Sequence, residues 1–196
     1  IIKIGEIMKI ISGKYKGRSL KGFTLINTRP TMDRVKESLF AIINYYLDDS
    51  TVLDLFSGTG NLGIEALSNK SKACYFVDNN KLAIKTIKEN IKELNITEFT
   101  EVLLMDYHNA LIFFKKKNIK FDVIFLDPPY KMDVVNDIIK DILKLEILNS
   151  KGIIVCEVDN NNNLKEFDSL DKIKEKKYAD KYIVIYEMSC LNEEIK

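Results

Sequence analysis

The chain predicts an α/β fold built on a mostly parallel, doubly wound sheet. Three observations point there. Apolar, β-branched-rich runs recur at about 51–55, 73–77, 101–104, 121–126, 152–158 and 182–188. Helical patterns at 61–69, 80–95, 107–117 and 132–147 alternate with them through the middle of the chain. Several runs lead directly into an acid: Asp54, Asp78, Asp106 and Asp127. Acids there would sit at the carboxyl edge of a parallel sheet, where open α/β folds hold ligands.

The elements follow in order. Ile7–Ile11 and Gly17–Leu25 flank the turn Gly13-Lys14-Tyr15-Lys16-Gly17 and read as a hairpin. Thr31 or Asp33 starts a helix to about Leu47, with Ile42, Ile43 and Tyr46 continuing its apolar face. The alternating core comes next. Between 158 and 182 only a polar stretch is expected, opened by the low-complexity loop Asp159–Asn163. The division is a basic hairpin extension, residues 1–30, ahead of a main domain, 31–196. No internal repeat interrupts it.

Composition sets bounds. A chain of 196 residues with 46% hydrophobic content has ample material for one core. Cys74, Cys156 and Cys190 are an odd set without paired spacing and read as reduced thiols. No Cys/His cluster suggests a metal, and His108, the only histidine, reads as an exposed first-turn residue. No apolar run approaches the ~20 residues that span a bilayer, and no secretory h-region is seen, so cytoplasm is the default expectation. The net charge of +1 hides an asymmetry: residues 1–36 carry nine Lys/Arg against Glu6 and Asp33, a net of +7, leaving −6 elsewhere. A basic arm on an acidic body suits a phosphate backbone, although a solvated lysine-rich surface would look the same.

Two motifs carry chemistry. Thr51–Leu67 reads as strand, glycine loop and helix, with Gly58, Gly60 and Gly63 satisfying G-x-G-x-x-G. Asp78 ends the following strand, where a ribose binder belongs. That much fits NAD or another adenosine-bearing cofactor. Asp54, four residues before the first glycine, would repel a pyrophosphate but attract an ammonium, which favours S-adenosylmethionine (SAM). Asp106 could meet the adenine amine, or cap the helix beginning at Tyr107, or both. The candidate cofactor set is Asp54, Phe56, Ser57, Gly58, Gly60, Asp78, Asn79, Asp106 and Tyr107.

Asp127-Pro128-Pro129-Tyr130 is the second motif. The Asp127 carboxylate and the Pro128 carbonyl can each accept an N–H from a planar exocyclic amine. The prolines fix φ and hold that geometry, and Tyr130 offers a face on which a flipped base stacks. These four are the candidate catalytic residues. A plain strand-ending turn is the alternative.

Asp54–Gly60 together with Asp127–Tyr130 resembles the Rossmann-like, SAM-dependent amino-methyltransferases. The segments Met8–Leu20 and Thr28–Phe40, with the block Arg29-Pro30-Thr31-Met32-Asp33-Arg34-Val35-Lys36-Glu37, resemble the bacterial RsmD family. The resemblance runs from Met8 to the last strand and implies N2-methylation of a guanine in 16S ribosomal RNA. It places Asp54, Gly58 and Gly60 at the methionine end of SAM, Asp78 at the ribose, and Asp127, Pro128 and Tyr130 at the guanine. It puts Arg29, Thr31 and Arg34 on the RNA side, beside the basic turn residues Lys14, Lys16 and Arg18. It also implies an antiparallel last strand and action on the small subunit or an assembly intermediate; methyl transfer of this kind calls for no metal, and a monomer is the default expectation. Tyr107 departs from the small residue common in the family. Rival readings are a DNA adenine-N6 or cytosine-N4 methyltransferase, a non-catalytic RNA-binding assembly factor and an NAD-dependent oxidoreductase.

Overall fold

A computed structural model describes residues 8–22, 30–129, 134–159, 164–178 and 181–189, with the side chains of 30–32 left aside. Its core is a seven-stranded sheet in the order β5-β4-β3-β6-β7-β9-β8. The strands are β3 (Thr51–Asp54), β4 (Ala73–Asp78), β5 (Thr100–Leu104), β6 (Phe121–Leu126), β7 (Leu148–Asp159), β8 (Leu170–Tyr178) and β9 (Lys181–Met188). β3, β4, β5, β6 and β7 pair in parallel; β9 runs antiparallel to both of its neighbours. The predicted fold class and the antiparallel last strand both hold.

Period-two alternation sends each strand's side chains to two separate cores. Val52, Cys74, Phe76, Val123, Phe125, Ile153 and Ile185 pack under α1 (Pro30–Leu47), α2 (Asn61–Ser68) and α3 (Lys81–Leu94). Leu53, Val77, Ile124, Leu126, Ile154 and Tyr186 pack under α4 (Tyr107–Lys116) and α5 (Val135–Leu145). Helices on both faces explain why β3 and β6 read as continuous apolar runs. Cys74 and Cys156 are free, buried thiols, while Cys190 lies outside the described residues.

β8 is a strand where only a polar stretch is expected. Its residues LDKIKEKKY are exposed over most of their length, so no apolar alternation betrays it. It forms because β9 offers an unpaired edge, and its lysines then guard the new edge against further pairing.

The hairpin is short: β1 (Met8–Lys9) pairs with β2 (Ser19–Leu20) in the register Met8↔Leu20. It is bound into the fold through Ile10 and Leu20, each 1% exposed in the core beneath α1, α2 and α3. Its turn also closes the end of α2. Lys14 N–H donates to the Ser68 carbonyl at 2.7 Å, and Tyr15 N–H to Ser68 Oγ at 2.9 Å. Gly13 makes this approach possible, since a Cβ there would lie 1.9 Å from the Ser68 carbonyl oxygen and φ is +76°.

Candidate active site

Four strand ends bring the predicted acids to one edge. β3, β4, β5 and β6 lie side by side, so Asp54, Asp78, Asp106 and Asp127 all fall on the carboxyl side of the sheet. The Met105 N–H donates to the Asp78 carbonyl at 3.0 Å, which holds the β5 exit beside β4.

The glycine loop is tied down from below. Ser57 is buried, and its hydroxyl donates to the Asp54 carbonyl at 2.6 Å and accepts from the Val77 N–H at 2.9 Å. That hydroxyl therefore shapes the loop from within. Gly58 and Gly60 sit at φ +54° and +80°, a conformation L side chains rarely adopt. Space around Gly58 is open, as close backbone approach of a ligand requires.

Gly63 serves packing instead. A Cβ there would meet Phe76 at 2.4 Å and Cys74 Sγ at 2.6 Å. Gly63→Ala should destabilise the protein by about 1–3 kcal/mol, measured by urea denaturation. A loss below about 0.5 kcal/mol would mean that α2 slides freely on β4.

Asp54 is 2% exposed, and its Oδ2 accepts the Gly63 N–H at 3.0 Å. Burial pushes its carboxyl up to about 7; the Gly63 hydrogen bond pulls it down in part, and the charge of Asp78 adds to the rise. A cation on this loop would stabilise the charged form.

Asp78 is half-buried. Its Oδ2 accepts from Gly58 N–H and its Oδ1 from Asn80 N–H, both at 2.8 Å. A carboxylate has about four lone-pair sites, so two remain for vicinal hydroxyls. Asn79 is exposed beside it, and Asn80, which the sequence reading passed over, caps α3 by accepting from Leu82 N–H at 2.8 Å. Asp106 caps α4, accepting from Asn109 N–H at 3.1 Å, with the Asn109 side chain on its other oxygen. These bonds hold its carboxyl below the usual carboxylate range. The Tyr107 ring packs on Phe56 with centroids 5.6 Å apart, which makes an aromatic wall beside the loop.

Asp127 leaves β6 next to β3, with Pro128 buried and Pro129 exposed behind it. The residue keeps some open surface, yet its carboxyl is closely surrounded. Desolvation raises its pKa first, then the charges of Glu157, Asp54 and Asp159, against a lowering by Lys181. Lys181 pairs with Glu157 across β9 and β7. Among the described residues none donates a hydrogen bond to Asp127. Tyr130 and Arg29 lie outside the described residues, as does the side chain of Thr31. Lys14, Lys16, Arg18 and Arg34 are exposed on the hairpin and α1. His108 is exposed, 3.8 Å from Asp141.

Sequence reasoning missed a buried junction beside the site. Lys36 is 5% exposed and Glu65 0%. Lys36 Nζ lies 2.9 Å from Glu65 Oε2 and donates to the Lys9 carbonyl at 2.8 Å and to Asn61 Oδ1 at 2.7 Å. Glu65 also accepts the Ile11 and Ser12 N–H groups and the Ser12 hydroxyl. One ion pair thus joins α1, the hairpin and the first residue of the helix that follows the glycine loop. The available signal was a lone acid inside the apolar helix Asn61–Ser68.

A strand order of 5-4-3-6-7-9-8 with one antiparallel strand, a buried acid under a glycine loop and Asp-Pro-Pro after β6 define a Rossmann-like SAM-dependent methyltransferase. A family model described as "Conserved hypothetical protein 95" matches residues 8–187. The chain belongs to that family, the RsmD family of rRNA methyltransferases. It is 45% identical over 159 residues to YlbH of Bacillus subtilis, whose name assigns it provisionally to the rRNA methyltransferases; the match covers 81% of this chain and 86% of YlbH. It is 34% identical over 175 residues to ribosomal RNA small subunit methyltransferase D of Haemophilus influenzae, covering 88% and 89% of the two chains. The structure of HI0767 from Haemophilus influenzae, titled provisionally a methylase, superposes with a TM-score of 0.78 at 30% identity over 93% of this chain and 99% of that one. Two more distant neighbours of the fold were solved with S-adenosylhomocysteine, the demethylated cofactor.

The residues fit that cofactor. Asp78 has lone pairs left for a ribose and Phe56/Tyr107 offer an aromatic wall. Asp78→Ala should weaken SAM binding about 10-fold or more, the loss of two charge-assisted hydrogen bonds, read by calorimetric titration. Unchanged affinity would remove Asp78 from the ribose site.

Proposed function

We propose that this protein transfers the methyl group of SAM to the N2 amine of a guanine in 16S rRNA, within the small ribosomal subunit or an assembly intermediate. We read residues 1–30 as its RNA-facing arm, and the enzyme as a cytoplasmic monomer. The observation that carries this reading is the placement of Asp127 at the end of β6, adjacent to the strand that bears the glycine loop and followed by the buried Pro128.

Bound SAM supplies an electrophilic methyl on a sulfonium. The rest falls to the chain. A guanine amine is a weak nucleophile because its lone pair is delocalised, and attack on the methyl makes its protons acidic. No strong base is needed first. Asp127 and the Pro128 carbonyl accept the two amine hydrogens and turn the lone pair toward the methyl. The negative charge of Asp127 stabilises the positive charge that develops on nitrogen. Tyr130 stacks on the base, and the hairpin and α1 bring Lys14, Lys16, Arg18 and Arg34 to the phosphates.

Methyl transfer from labelled SAM should be measured on unmodified small subunits, naked 16S rRNA and duplex DNA. Label recovered as N2-methylguanosine in subunits or rRNA is the expected result. Label in DNA alone would replace this reading with that of a DNA amino-methyltransferase.

A further inference from the structure

α3 carries four exposed lysines on one solvent face: Lys81, Lys85, Lys88 and Lys92. Spacings of four, three and four keep them on one stripe, and at 1.5 Å per residue the stripe is about 16 Å long. They rim a shallow depression of about 390 Å³, shared with Ile84 and Glu89. None of the four makes an ion pair among the described residues.

The helix does contain acids that could have balanced them. Glu89 is placed four residues after Lys85, the spacing of a helical ion pair. The hairpin takes those acids instead: Lys21 Nζ lies 3.4 Å from Glu89 and 2.5 Å from Glu93. Docking the arm therefore leaves a bare row of like charges, which repel one another. Such a row suits a polyanion.

Its two ends say where that polyanion runs. Lys81 follows Asp78 by three residues, so one end begins at the cofactor edge of the sheet. At the other end Arg18 of the basic turn donates to the Glu93 carbonyl at 3.0 Å. Arm and stripe form one continuous basic path. We propose that the lysine face of α3 is a second contact for the rRNA phosphate backbone, continuous with the hairpin arm and leading to the methylation site.

This rests on the rRNA reading above. The test is the affinity for 16S rRNA across a KCl series, with SAM affinity measured alongside. One variant carries Lys81→Gln, Lys85→Gln, Lys88→Gln and Lys92→Gln. A control carries Lys116→Gln, Lys117→Gln, Lys120→Gln and Lys144→Gln, the same charge removed around α4 and α5. The α3 variant should bind rRNA about 10-fold or more weakly near 0.15 M KCl, its salt slope shallower by roughly 0.7 per lost phosphate contact. SAM affinity and the control's rRNA affinity should stay within about two-fold of wild type. A control that loses as much shows that only net charge matters, and overturns the proposal. So does an α3 variant that binds like wild type. An α3 variant that keeps its rRNA affinity but methylates assembled subunits poorly assigns the face to a ribosomal protein instead. Wild-type protein that binds neither naked 16S rRNA nor unmodified small subunits refutes the substrate reading itself.

Discussion

Asp127→Asn should lower kcat by about 100-fold or more while leaving SAM affinity near wild type. The substitution keeps one carbonyl acceptor and removes the charge that the reacting nitrogen needs; the loss of one aligned electrostatic partner at a reacting centre typically costs ~10²–10³ in kcat. The same change should raise stability. Asp127 is closely surrounded, and Glu157, Asp54 and Asp159 oppose its ionisation. An amide escapes that conflict. Improved stability with lost turnover marks a group kept for chemistry. A variant that retains most of its activity sinks the amine-gripping role.

The pH dependence follows from the same burial. A carboxyl whose folded pKa is raised binds more protons in the folded than in the unfolded state, from its ordinary pKa up to the raised one. Stability therefore falls as pH rises through that window. For Asp54 the window runs from 3.8 to about 7, and Asp127 acts in the same direction. Activity moves the opposite way, because the amine needs the carboxylate: kcat/KM for RNA should climb through neutral pH and not level off near pH 5. A profile flat from pH 5 to 9 would show that Asp127 is ionised throughout.

Lys36→Met should cost about 3–5 kcal/mol, the usual penalty for stranding one partner of a buried ion pair. For a domain of this size that is a fall in Tm of roughly 6–20 °C. Glu65 would be left without its counter-charge under the hairpin, and Asn61 and the Lys9 carbonyl would each lose a donor. Glu65→Leu should be at least as damaging, since the N–H groups of Ile11 and Ser12 then lose their acceptor. Urea denaturation reads both. A loss under about 1 kcal/mol for Lys36→Met would mean that water already reaches the pair.

Much of this was legible because local rules and global fold agree. The apolar runs ending at Asp54, Asp78 and Asp127 are strands because both sheet faces are covered, and each acid stands where its run reaches the carboxyl edge of the sheet. The Asp106 cap was legible for a local reason too: an Asp before a helical pattern satisfies free N–H groups whatever the tertiary context. β8 was hidden because its stability comes from its partner strand, and a Lys/Glu-rich segment carries no sign of that. Ser57 reads as a ligand contact from its place in the loop. Only the approach of β4 shows its hydroxyl spent on Val77 and the Asp54 carbonyl.

The sequence by itself determined the order of elements, the parallel sheet and the identity of the acids at its carboxyl edge, because these follow from periodicity and from residues within a few positions of one another. Tertiary structure alone decided which charges lose water and which lose partners. It buried Lys36 on Glu65, brought the charges of Glu157, Asp54 and Asp159 to bear on Asp127, and gave Glu89 and Glu93 to Lys21. Desolvation and ion pairing depend on what distant segments bring to within a few ångströms, and no local pattern encodes that.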